Sequence, residues 1–95
     1  MGFAELVATL DTIDAQRETL KRFWSLVLPQ IEVPSDQQFD LWLGLYSFKH
    51  VHFAVRETSR KCLRYVGMSA EHAVKFCSAV ASEQYRNAHS AEQAA

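Results

Sequence analysis

Apolar residues recur along the first 28 positions at alternating steps of three and four. Phe3, Leu6, Leu10, Ile13, Leu20, Trp24 and Val27 carry the pattern, and Arg17 fills the one polar place. This is a heptad register, with Phe3, Leu10, Arg17 and Trp24 at a and Leu6, Ile13, Leu20 and Val27 at d. It predicts an amphipathic helix over residues 1–28. Asp11-Thr12-Ile13-Asp14 is rich in helix-capping types and marks where that helix would break if it is two pieces.

Pro29 and Pro34 bracket an extended connection, from which Ile31 and Val33 are expected to reach into the core. Ser35, with Gln38 three residues on, reads as the N-cap of a second helix over about residues 36–45. Its buried stripe is Phe39, Trp42, Leu43 and Tyr46, widened by Leu41 and Leu45. Ser47 caps a third helix running to about Val66, with Phe48, Val51, Val55, Cys62 and Val66 inward and Phe53, Ala54 and Leu63 beside them. Gly67 suits the left-handed position that ends helices. Ser69 then starts a fourth helix, from about Ala70 to Arg86 or beyond, with Ala73, Val74, Cys77, Val80, Ala81 and Tyr85 facing the core.

No segment alternates as a strand does. The fold class expected is all-α: a small bundle of about four helices, the first long and heptad-patterned, the third and fourth forming an antiparallel hairpin. The organisation expected is an N-terminal helix over residues 1–28, a compact helical domain over 29–88 and a frayed tail over 89–95.

Length adds one argument. At about 1.5 Å per residue, a straight helix over residues 1–28 reaches about 40 Å. A compact chain of 95 residues has a radius of gyration of only about 12 Å. Such a helix overhangs its own domain, and exposed apolar surface seeks a partner, most simply a second copy. Phe3, Leu6, Leu10, Ile13, Leu20 and Trp24 are the candidate partner-binding residues. Arg17 in the seam would set register, pair with an acid or snorkel outward.

Charge changes the picture further. The whole chain is close to neutral, with ten Lys and Arg against eleven Asp and Glu. The two signs are nevertheless segregated. Residues 1–48 hold three basic and seven acidic residues, whereas the third helix holds Lys49, Arg56, Arg60, Lys61 and Arg64 against Glu57 alone. His52, Arg56, Arg60 and Arg64 follow one another at steps of four and make one ridge, flanked by Lys49 and Lys61. A ridge of this kind can follow a phosphate backbone. It is also the ordinary composition of a solvated helix face, or of a surface that meets the acidic half of the chain. No aromatic residue stands out as an exposed surface for stacking single-stranded bases, since Tyr46, Phe48, Phe53 and Tyr65 serve equally well as core.

Other chemistry finds little footing. Two cysteines, Cys62 and Cys77, do not make a disulfide framework, and they read as small buried hydrophobes of a reduced, cytoplasmic protein. There is no Cys-x-x-Cys and no paired His spacing for a metal, no Gly-rich phosphate loop, and no apolar run long enough for a membrane span. No metal, cofactor, small-molecule substrate or catalytic residue is expected. The leading expectation is a non-catalytic interaction module that self-associates as a homodimer or docks on a protein through its N-terminal helix. The alternative is a nucleic-acid-binding module that uses Lys49, Arg56, Arg60, Lys61 and Arg64.

Overall fold

A computed structural model describes residues 12–65 and 67–94, with side chains described as far as His89. Four helices lie in it: α1 (Ile13–Val27), α2 (Asp36–Leu45), α3 (Phe48–Arg64) and α4 (Ala70–Ala94). The described residues contain no strand.

Local chemistry explains most of the boundaries. Thr12 is extended, and its hydroxyl accepts the Ala15 N–H at 3.1 Å, so α1 begins at Ile13. This corrects the single helix over 1–28: the chain takes the break that its capping residues offered. At 15 residues α1 does not overhang the bundle, so the length argument for a partner loses its basis. Ser35 Oγ accepts the Gln38 N–H at 3.2 Å and starts α2. Ser69 Oγ does the same for His72 at 3.0 Å and starts α4. Ser47 stands at the start of α3 without a side-chain capping bond. Gly67 has the positive φ expected of it, 83°, but stands two residues past Tyr65, the α3 C-cap. Residues 89–94, expected to fray, continue α4 as helix to Ala94. That stretch contains no Gly or Pro and is rich in alanine, the best helix former.

The core is built on tryptophan. Trp24 and Trp42 flank Phe39, and both meet its ring edge to face, at 6.4 and 5.5 Å between centroids. Each indole N–H finds an acceptor: Trp24 donates to the Ile31 carbonyl at 3.2 Å, and Trp42 donates to Ser78 Oγ at 2.8 Å. The first bond fastens the Pro-bracketed connection, where Ile31 is buried as expected. The second ties α2 to α4. Leu20, Leu28, Leu43, Phe48, Val51, Ala54, Val55, Ala73, Cys77 and Ala81 complete the interior. Thr58 is fully buried, and its hydroxyl is satisfied by the Ala54 carbonyl one turn back.

Three expected core residues lie outside. Leu41 and Leu45 of α2 and Leu63 of α3 are exposed, the last to 83%. α2 is short and its neighbours cover only the Phe39–Trp42–Leu43 side, which leaves the widened part of the stripe uncovered.

Candidate nucleic-acid interface

Among the described residues, four carboxylates of the acidic half, Asp14, Glu18, Asp36 and Asp40, are engaged by cations of that same half. Arg17 bonds Asp14 at 2.8 Å and Asp40 at 2.9 Å, and lies 3.9 Å from Asp36. Lys21 reaches Asp36 at 2.9 Å and Glu18 at 3.3 Å. These contacts raise the Arg17 and Lys21 pKa values, chiefly through the hydrogen bonds to Asp40 and to Asp36. The polar member of the heptad seam thus joins α1 to α2 within one chain. Leu20 and Trp24 are fully buried in the core, so neither offers surface to a partner. Ile13, 47% exposed, is the described seam residue that remains at the surface. Phe3, Leu6 and Leu10 lie outside the described residues.

The α3 cations are free of that acidic cluster. Among the described residues, the only ion pair made by an α3 cation is the local one from Arg60 to Glu57, at 3.1 Å. Lys49, Arg56, Arg60 and Arg64 are exposed, and Lys61 is half-buried. Lys49, Arg56, Arg60 and Arg64 sit on one side of α3 because their steps of seven, four and four repeat the helical turn. The opposite side of α3, Phe48, Val51, Ala54, Val55 and Thr58, is locked in the core and fixes which way the cations point. His52 does not belong to the ridge. Its half-buried ring stacks on Phe23, with centroids 4.2 Å apart and planes 8° apart. Burial, and then the nearby Arg56 charge, lowers its pKa below the usual histidine value. His50 is lowered too, by burial first and then by Lys49 and His89. Positive charge on this side of the molecule at neutral pH therefore belongs to lysine and arginine.

Aromatic rings stand among these cations. The Arg56 guanidinium lies 5.2 Å from the Phe53 ring centre. Lys61 Nζ lies 4.1 Å from the centre of Phe76 and 5.5 Å from that of Tyr65. Early turns of α3 meet late turns of α4, as His50 meets Tyr85, and late turns of α3 meet the start of α4, as Lys61 meets Phe76. Two recesses follow this seam. One, of about 630 Å³, is lined by Glu57, Arg60, Lys61, Arg64, Tyr65 and Phe76. The other, of about 500 Å³, is lined by residues that include Lys49, Phe53, Arg56, Gln84 and Asn87.

Phe76 is the residue that sequence reasoning missed. It stands three residues after Ala73 and four before Val80, at the edge of the apolar stripe of its own helix, and that spacing was the available signal. The thiols offer little chemistry. Cys77 is buried and its pKa is pushed up to about 12 by that burial. Cys62 is half-buried and accepts a bond from the Gln30 amide at 3.0 Å. Among the described residues no group of three or more His, Cys, Asp or Glu could hold a metal ion, and no helix is long and apolar enough to cross a membrane. Comparison with protein families, with curated proteins and with solved structures finds no match to this chain.

Proposed function

We propose that the protein is a non-catalytic nucleic-acid-binding module and that the α3–α4 face is its binding surface. One observation carries this reading: among the described residues the five α3 cations make no ion pair with the acidic half of the chain, of which Asp14, Glu18, Asp36 and Asp40 are engaged by Arg17 and Lys21. A basic surface covered by that half would have favoured a purely protein-directed role. The short connection after α3, together with the extensive packing of α3 on α4, supports reading the pair as an antiparallel hairpin that presents the surface as one rigid unit. Phosphate contacts from Lys49, Arg56, Arg60, Lys61 and Arg64 supply affinity and position the backbone. The test is charge reversal. Arg56→Glu with Arg60→Glu abolishes oligonucleotide binding and leaves the circular dichroism spectrum unchanged; binding that survives the double change rejects the assignment.

A second reading has its own support. Ile13, Leu41 and Leu45 are exposed apolar residues on α1 and α2, two helices that the Arg17–Asp40 bond holds side by side. Self-association through this region, as a homodimer, is compatible with binding on the α3–α4 side. Light scattering behind a sizing column tests it: a strict monomer at tens of micromolar rejects it.

A further inference from the structure

We infer that the α3–α4 face takes a single strand of nucleic acid, a few nucleotides long, with bases stacked on Tyr65 and Phe76 and the backbone held by the cations beside them. The inference rests on the proposed function and names its ligand more closely.

Three observations lead to it. First, the cations, though mostly exposed, also line two recesses along the α3–α4 seam. A duplex is read by an element that protrudes into a groove some 12 Å wide, by the usual major-groove dimension. Here one side of α3 is sunk in the core, and α4 runs along its flank. An extended strand can lie along such recesses.

Second, each recess pairs charge with an aromatic surface. Single-strand binders combine a positive track for the phosphates with rings on which successive bases stack. Lys61 Nζ lies over the Phe76 ring, 4.1 Å from its centre, and 5.5 Å from that of Tyr65, so a cation and two rings lie within the reach of one nucleotide, and a base takes a ring face as Lys61 swings from it to a phosphate. Tyr65 is 60% exposed, a large ring that the core does not use. Arg56 over Phe53 repeats the pairing nearer the start of α3.

Third, the dimensions agree. From Lys49 to Arg64 the helix advances about 22 Å. At the roughly 3.4 Å spacing of stacked bases this is room for about six nucleotides, within the range of known single-strand sites.

The experiment measures fluorescence anisotropy of a labelled mixed-sequence 12-nucleotide single strand, then of its duplex, at low salt, with the wild type and with Tyr65→Ala, Tyr65→Phe and Phe76→Leu. The single strand is expected to bind at least tenfold tighter than the duplex. Tyr65→Ala is expected to weaken it about five- to a hundredfold, as the loss of one stacking ring does. Tyr65→Phe, which keeps the ring, restores binding, and Phe76→Leu, which keeps the volume, does not match wild type. Tyr65 is exposed, so its replacement leaves the fold intact. Duplex binding as tight as that of the single strand, or a single strand indifferent to Tyr65→Ala, overturns this inference and leaves the proposed function standing. Failure of both oligonucleotides to bind overturns both. Polyglutamate that competes as well as the single strand shows recognition of charge alone and also overturns the inference.

Discussion

The Lys61 ammonium lies 4.1 Å from the centre of the Phe76 ring, joining a cation of α3 to an aromatic residue of α4 that takes no part in the buried core. Contacts of this kind stabilise a fold modestly, by about 0.5–1 kcal/mol at a surface. Lys61→Ala is therefore expected to cost no more than about 1 kcal/mol in urea unfolding. It should have a clearer effect on binding, lowering the slope of log affinity against log salt by about one. An unchanged slope would place Lys61 away from the phosphates.

The two halves of the N-terminal apolar pattern should behave differently. Trp24→Ala empties a fully buried site, strands the Ile31 carbonyl and is expected to cost about 3–5 kcal/mol. Ile13→Ala, at an exposed position, should stay within about 0.5 kcal/mol. Equal losses at the two positions, measured by denaturant unfolding, would contradict the division between core and surface described for α1.

The described glycines Gly44 and Gly67 should respond to alanine with opposite signs. Gly44 lies inside α2, and an added Cβ meets nothing within 4 Å, so Gly44→Ala is expected to stabilise by about 0.5–1 kcal/mol. Gly67 also has open space but holds a φ of 83°, where a side chain is strained whatever the room. Gly67→Ala should destabilise by about 1–2 kcal/mol. Thermal melts of the two variants check the pair, and a shared sign would contradict it.

Acidification should weaken the fold in two windows. His52 has its pKa lowered in the folded state below 6.5, so the unfolded chain binds more protons as pH falls through that value. Its contribution is fully present above 6.5 and is lost as pH falls through the folded value. Asp36 has its pKa lowered below 3.8, mainly by the hydrogen bond from Lys21. Its contribution is present above 3.8 and is lost as pH falls further. Melting temperatures between pH 8 and pH 3 should fall in both windows. His52→Phe keeps a ring against Phe23 and should reduce the fall in the first window, with His50, also lowered, supplying the remainder; an unaltered first window would assign it elsewhere.

What the sequence made legible was local. Ser35 and Ser69 cap helices because an N-cap answers only to the residue three places on, and both bonds form as expected. Thr12 obeyed the same rule, although the heptad spacing ran across it. Periodicity could say that α2 carries a wide apolar stripe, but not how much of it a ten-residue helix can cover, so Leu41 and Leu45 were misplaced. Arg17 was conspicuous in the seam, yet its partner Asp40 lies 23 residues away, and only the packing of α1 on α2 brings them together. The basic residues of α3 were visible at once. Their exposure was not, because it depends on which acids are already engaged elsewhere. Phe76 lies at the edge of the α4 apolar stripe, three residues after Ala73, but its meeting with Lys61 at the end of α3 depends on the packing of the two helices.

The most direct test of the central claim is the binding of a labelled single-stranded oligonucleotide to the purified protein across a range of salt. Phosphate contacts through the α3 cations predict affinity that falls with a log–log slope of several units. No binding at tens of micromolar, even at low salt, would contradict the account and leave the basic face as a solvated or protein-facing surface.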